Sequence, residues 1–117
     1  MDNRHLDTLF AALADPTRRA VIARLAAGEA VVSELACPHD MALPSFLKHL
    51  ARLEAAGLVA SRKEGRVRIC TLHPEALAPA AGWLAEQRAL WDGRHDRLAS
   101  LLSELATEDT TPKESPE

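Results

Sequence analysis

The chain has 117 residues, of which 47% are hydrophobic, and its formal net charge is −3. This length fits one domain with a core of its own but not two domains. No apolar run approaches the roughly 20 residues that span a bilayer and no signal peptide opens the chain, so we predict a cytoplasmic protein. Two cysteines, Cys37 and Cys70, are too few for a disulfide framework.

Three helices are predicted in the first third of the chain. The first runs from about Asp7 to Ala14. Asp15 is expected to cap the second helix, with Pro16 as its first residue, because proline is tolerated where the N–H has no helical partner. That helix runs to about residue 27 and ends at Gly28. A short third helix is predicted over Val31 to Ala36, followed by a turn.

A fourth amphipathic helix is predicted over about residues 43–56. Its apolar positions recur at helical spacing and comprise Leu43, Phe46, Leu50 and Leu53. Its other side carries the polar and basic residues Ser45, Lys48, His49 and Arg52. Pro44 suits the first turn and Gly57 suits the helix end. A short helix with a cationic outer face has the shape and charge that suit the major groove of DNA.

A basic β-hairpin is predicted over about residues 58–72. Leu58 to Lys63 and Arg66 to Leu72 form its strands, and Glu64-Gly65 forms its turn. Its basic residues are Arg62, Lys63, Arg66 and Arg68. Such a hairpin can lie along the DNA backbone or minor groove beside the helix.

The charge distribution supports this interpretation, although a net charge of −3 by itself argues against binding to nucleic acid. Residues 42–72 contain six basic residues against two acidic ones, a local balance of +4, so the remaining residues carry −7. A basic patch on an acidic body can still meet phosphates locally.

A long helix is predicted over about residues 74–106, with an uncertain start because of Pro79. Its seven-residue apolar repeat consists of Leu84, Trp91, Leu98 and Leu105. Such a repeat favours packing against a helix of a second subunit, although it could also cover the core of its own domain. Residues 1–107 are thus predicted as one domain, and the polar, charged residues 108–117 as a disordered tail.

Three segments resemble the ArsR family of winged-helix repressors. They are the run from Leu9 to Leu25, the run from Lys48 to Val59 that includes Lys48-His49-Leu50, and the hairpin tip from Lys63 to Arg66. The resemblance covers roughly residues 6–105. It implies a mainly α fold with a small β-hairpin, a winged helix-turn-helix that dimerises through its terminal helices. It also implies a homodimeric repressor that binds a palindromic operator and releases the DNA when an effector binds.

The resemblance does not extend to the family's metal sites. Val31 and Ser33 stand where metal-sensing members have thiolates, so a soft-metal site there has no ligands. Asp92, His95 and Asp96 are similar to ligands of a second family site, but the partner pair is missing. We therefore predict no metal, no cofactor and an unknown effector. In the fourth helix, Leu43 and Leu47 occupy positions that are often polar in the family, which shifts DNA contact to the remaining polar residues of that helix.

Two alternatives to DNA-binding repression stay open. One is a repressor that responds to oxidation of Cys37 and Cys70. The other is a winged helix used only for protein contacts, which would need no basic face. An enzyme is not expected, since the chain has no Gly-rich phosphate loop, no nucleophile elbow and no paired carboxylates in an apolar setting.

Overall fold

The computed structural model describes the backbone of residues 3–114 and the side chains of residues 4–107. Two compact units are distinguished, one ending at Ala81 and the other beginning at Gly82. The elements in chain order are α1 (Asn3–Leu13), α2 (Pro16–Leu25), β1 (Ala30–Val31), α3 (Val32–Ala36), α4 (Leu43–Ala55), β2 (Val59–Glu64), β3 (Val67–Leu72), a 3₁₀ turn (Pro74–Leu77) and α5 (Ala78–Glu114).

The start of α2 confirms the predicted cap. Asp15 is extended, with φ −138° and ψ 133°, and its carboxylate accepts the backbone N–H of Arg18 at 3.1 Å. Pro16 is the first helical residue. The helix ends at Leu25, about two residues earlier than predicted, and Gly28 adopts a φ of 141°.

The core of the first unit is formed by the apolar faces of its helices and strands. On α4, the side chains of Phe46, Leu50 and Leu53 are buried, as predicted, whereas Leu43 is 53% exposed. Leu43 is the first residue of the helix. Helical side chains lean toward the N-terminus and cover the preceding turn, and no turn precedes Leu43, so the predicted stripe is one residue too long.

The wing consists of β2, β3 and the turn between them, and it belongs to a three-stranded antiparallel sheet in the order β1-β3-β2. Sequence reasoning missed β1, because two residues show no periodicity and the strand exists only through pairing with β3. The predicted turn is also wrong by one residue, since Glu64 pairs with Val67 and the turn is Gly65-Arg66. Gly65 has a φ of 62°, as the first central residue of a type II′ turn requires.

The last helix differs from its predicted bounds at both ends. It begins at Ala78 after the 3₁₀ turn, so that Pro79 falls in the first helical turn, where its missing N–H costs little. It continues to Glu114 rather than ending near residue 106, because extending an existing helix needs no new nucleus. Residues 108–114 of the predicted disordered tail are therefore helical here, and residues 115–117 lie outside the described part of the chain.

The second unit leaves the predicted apolar repeat exposed. The side chains of Leu84, Trp91, Leu98 and Leu105 are each about half exposed. Among the described residues, no helix combines the length and the apolar character needed to cross a membrane.

Candidate nucleic-acid interface

The outer face of α4 carries two cations that have no partner among the described side chains. Burial of Phe46, Leu50 and Leu53 turns the opposite side of the helix outward, where Lys48 and Arg52 are exposed, and Ser45 is exposed near the N-terminal end. Among side chains 4–107, neither Lys48 nor Arg52 forms an ion pair or a side-chain hydrogen bond. Their charges are therefore not neutralised within the described part of the molecule.

His49 is arranged differently from its neighbours on α4. Its side chain is 24% exposed, and its Nδ1 lies 2.8 Å from Nη1 of Arg18 and 3.6 Å from the Asp15 carboxylate. An arginine guanidinium only donates hydrogen bonds, so Nδ1 must accept, and the proton of the neutral ring is on Nε2. The expected place of His49 on the outward face is thus corrected: its ring contacts α2.

Arg18 is a site residue that sequence reasoning missed. Only 7% of it is exposed, and Nε donates to the carbonyl of Ala12 at 2.8 Å while Nη2 donates to the carbonyl of Ala11 at 2.9 Å. An arginine on a short helix is ordinarily a surface residue, so its type and spacing predicted nothing special. Its burial depends on acceptors supplied by α1 and α4.

The environment of Asp15 belongs to the same network. Burial raises the pKa of this carboxyl, but the hydrogen bonds from the backbone N–H groups of Arg18 and Thr17, together with the nearby charge of Arg18, outweigh that effect and hold the pKa below its usual value. The carboxylate form therefore persists where it caps α2 and faces His49.

In the wing, Arg62 is neutralised by carboxylates. Its Nη1 and Nη2 donate to Glu29 at 2.9 and 3.1 Å, and its Nε donates to Glu64 at 2.7 Å. The hydrogen bonds from Arg62 and from Thr71 lower the pKa of Glu29, and the reciprocal bonds raise the pKa of Arg62. Arg62, which the sequence predicts to contact DNA, ties the wing to the segment before β1 in this structure.

Arg68 is also engaged within the protein. Its Nε donates to the Ser61 hydroxyl at 2.9 Å, and its Nη2 lies 3.5 Å from the Glu54 carboxylate, which in turn accepts from Ser61 at 2.8 Å. This link joins both strands of the wing to the last turns of α4. Glu54 thereby couples the two elements of the candidate interface.

Lys63 and Arg66 complete the exposed charge of the wing. Both are exposed, and neither has an ion pair or side-chain hydrogen bond among the side chains that the structure describes. The eight residues predicted to contact DNA therefore divide into three groups. The free cations, which we call the basic cluster, are Lys48, Arg52, Lys63 and Arg66, whereas His49, Arg62 and Arg68 are engaged internally and Ser45 is exposed and uncharged.

The two cysteines differ sharply. Cys70 lies in β3 and is fully buried; burial, and then the nearby charge of Glu54, raise its pKa and disfavour the reactive thiolate. Cys37 is exposed at the end of α3. A redox response through both thiols is therefore not supported by the position of Cys70, which packs as a small apolar residue.

The candidate metal ligands on α5 contact other side chains of the same helix. Asp92 lies 3.8 Å from Nε of Arg88, and the His95 ring contacts the Trp91 ring with centroids 5.0 Å apart. Within the described residues, no group of three or more His, Cys, Asp or Glu side chains is placed to hold a metal ion.

Comparisons with known proteins match this architecture. A family model described as a helix-turn-helix domain matches residues 13–62. The HTH-type transcriptional regulator Rv2034 of Mycobacterium tuberculosis is 43% identical over 75 residues, which are 64% of this chain and 70% of that protein. The arsenical resistance operon repressor of Escherichia coli is 31% identical over 102 residues, covering 86% of this chain and 85% of the relative.

Solved structures agree with the sequence comparison. The crystal structure of an ArsR family transcriptional regulator, RHA00566, is 52% identical, with a TM-score of 0.75 over 79% of this chain and 95% of its own. A homodimeric winged helix-turn-helix DNA-binding domain from Mycobacterium bovis, described as a possible ArsR-family regulator, is 26% identical, with a TM-score of 0.59 over 74% of this chain and 82% of its own. On this fold and these relatives, the chain belongs to the ArsR family of winged-helix transcriptional regulators.

Proposed function

We propose that this chain is a homodimeric repressor that binds a palindromic DNA operator through α4 and the wing. The observation that carries the proposal is the basic cluster of Lys48, Arg52, Lys63 and Arg66. These four cations stay exposed and unpaired among the described side chains, on two elements that Glu54 links, in a chain whose net charge is −3. A protein surface that contacts only water does not require concentrated positive charge, whereas a surface that binds a phosphate backbone does.

The structure supports different roles for the two elements. Lys48 and Arg52 lie on the helix that fits the major groove, where arginine reads guanine by a bidentate hydrogen bond, and Ser45 lies on the same helix. Lys63 and Arg66 lie at the tip of the wing and suit phosphate contact. Arg62 and Arg68 are left out of the contact set, because releasing them to DNA would break their bonds to Glu29, Glu64 and Ser61.

The proposed dimer rests on α5. Its apolar residues recur at seven-residue spacing and are exposed in the second unit, namely Leu84, Trp91, Leu98 and Leu105, with Leu101 and Leu102 beside them. An exposed apolar repeat of this kind suits a helix of a second copy. The M. bovis domain is described as homodimeric, which supports the pairing of two copies. Two copies would place their α4 helices about 34 Å apart, in successive major grooves of the operator.

The remaining predictions follow from this function. A regulator of operator DNA works where the chromosome is, which in a bacterium is the cytoplasm, and it requires no catalytic step.

The effector is not a thiolate-bound metal, because Val31 and Ser33 supply no sulfur ligand. Zinc or arsenite at low micromolar concentration should therefore leave operator affinity unchanged under reducing conditions, as measured by fluorescence anisotropy.

Selection of bound fragments from the source genome tests the proposal directly. Recovered fragments should share an inverted repeat, and their affinity should fall steeply with salt, because each neutralised phosphate adds about 0.9 to the slope of log K against log salt. Fragments without a common repeat, or binding that is indifferent to salt, would refute operator binding and favour the protein-contact alternative.

The dimer has its own test. The double variant Trp91→Glu, Leu98→Glu should be monomeric by light scattering and should lose operator binding. Arg88→Glu on the same helix is a matched control, since Arg88 is exposed and polar already. Wild-type protein that scatters as a monomer at micromolar concentration would exclude the dimer.

A further inference from the structure

The guanidinium of Arg18 joins three helices. It belongs to α2, its Nε and Nη2 donate to the carbonyls of Ala12 and Ala11 at the end of α1, and its Nη1 donates to His49 on α4. All three bonds are between 2.8 and 2.9 Å, and 7% of the residue is exposed. Every nitrogen of the side chain is therefore engaged inside the protein.

The two carbonyls make α1 a firm anchor for this arginine. Ala11 and Ala12 lie in the last turn of α1, which ends at Leu13, and the final carbonyls of a helix lack regular intrahelical partners. A cation is favourable at this end of a helix. The planar fork of the guanidinium, held by two fixed acceptors, leaves its third nitrogen aimed in one direction.

That third nitrogen contacts α4 at His49, between Lys48 and Arg52 of the basic cluster. His49 follows Lys48 by one residue and precedes Arg52 by three. The apolar anchors Phe46, Leu50 and Leu53 fix which face of α4 is buried, but apolar contacts have no preferred angle and limit the roll of the helix about its axis less sharply than a directional bond does. A short hydrogen bond has a preferred angle and restricts that roll.

We propose that Arg18 is a positioning residue, which through His49 sets the rotation of α4 and so the direction in which Lys48 and Arg52 face the operator. This inference rests on the proposed DNA-binding function. It also gives His49 a role other than the direct DNA contact predicted from its place on the helix. The ring acts as a hydrogen-bond acceptor for Arg18, with its proton on Nε2.

The variants His49→Ala, Arg18→Lys and their combination test this role. Lysine keeps the charge but cannot bond three fixed acceptors with a planar fork. Each single variant should lose roughly tenfold or more of its operator affinity, as expected for a hydrogen bond to a charged group. Affinity for non-specific DNA should stay within about twofold, because the phosphate contacts of the wing are intact.

The double variant separates positioning from direct contact. If His49 acts through Arg18, the double variant should bind the operator no more weakly than Arg18→Lys alone. His49→Gln should recover most of the affinity, since the amide oxygen can accept from Arg18. Losses that add in the double variant, or that are equal on specific and non-specific DNA, would overturn the proposal.

Arg19→Lys is the matched control. Arg19 is the next residue of α2, is exposed, and donates to the carbonyl of Leu13 at 2.8 Å, so it contacts the end of α1 without reaching α4. The Arg19→Lys variant should bind the operator with the affinity of the wild type. A loss equal to that of Arg18→Lys would show that general anchoring of α1, rather than the link to His49, controls affinity.

A measurement without DNA keeps this inference separate from the proposed function. Nitrogen-15 NMR of the imidazole at pH 8 should show His49 protonated on Nε2 in the wild type and a mixture of tautomers in Arg18→Lys, with both proteins folded by circular dichroism. A wild-type ring protonated on Nδ1 would refute the link. Failure to bind any genomic fragment, with the Nε2 tautomer present, would refute the proposed function and with it the positioning role.

Discussion

Helix α4 carries two basic residues and the wing carries four, and the two elements use this charge differently. On α4, Lys48 and Arg52 have no partner among the described side chains. In the wing, Arg62 is held by Glu29 and Glu64, and Arg68 by Ser61 and Glu54. The outward face of a helix packed on a core has few neighbours, whereas a strand residue has cross-strand neighbours within about 5.5 Å. A basic residue on a strand is therefore more readily neutralised.

This difference changes which residues are expected to contact DNA. Counting charges over residues 42–72 treats all six cations alike. Among the described side chains, four of these cations have no partner and two hold the wing in place. In the proposed function, the α4 side chains read bases, and the wing tip adds charge without sequence information. The predictions below test this division, beginning with the largest effect.

The fold should depend far more on the anchors of α4 than on apolar residues of the wing. Phe46→Ala should lower the free energy of unfolding by about 3–5 kcal/mol, because it leaves a cavity where a fully buried ring stood. Val67→Ala, at a side chain that is 45% exposed, should change it by no more than about 0.5 kcal/mol. Urea titrations at matched protein concentration measure both. Equal losses would show that the wing is as much a part of the core as α4.

The two elements should contribute differently to operator recognition. Arg52→Ala should weaken operator binding by about 1–3 kcal/mol and relax discrimination at one base position. Arg66→Ala should weaken specific and non-specific binding alike and reduce the salt slope by about one. Anisotropy titrations on operator and scrambled DNA at several salt concentrations separate the two patterns. Loss of specificity in both variants would contradict the assigned roles.

Within the wing, the free and the engaged arginines should differ. Arg62→Gln should change non-specific DNA affinity by less than about twofold, whereas Arg66→Gln should lower it several-fold, since only Arg66 has a free charge to give to phosphate. The same substitution at both sites provides the control. A larger loss at Arg62 would mean that Glu29 and Glu64 release this arginine when DNA binds.

The smallest expected effect is the pH dependence of the wing anchor. Arg62 lowers the pKa of Glu29 from its ordinary value of 4.5, so the pair stabilises the fold above that value and this contribution is lost as the pH falls through the lowered pKa. The melting temperature of Glu29→Gln should thus be slightly below that of the wild type at pH 7 and equal to it in strong acid. The contribution is small because the pair is half exposed. A difference that grows on acidification would reverse the assigned sign.

Much of the fold could be predicted from local pattern. Helix periodicity identified α4 within one residue at each end or better, and the Asp15 cap and the strands of the wing were confirmed. The features that were predicted wrongly depend on the pairing of strands or on the position of a residue at the end of a helix. The turn shifted by one residue because Gly65 alone adopts a positive φ there, and β1 exists only beside β3.

The sequence by itself determined the order of the elements, the apolar anchors of α4 and the region where positive charge concentrates, because these depend on neighbours within a few positions. Only the tertiary structure decided which cations are free. Arg62 meets a carboxylate 33 residues away, and Arg18 meets a ring 31 residues away. A charged side chain on a partly desolvated surface pairs with the group that the packing of distant segments brings within about 3 Å. The sequence around that side chain does not predict which group this is.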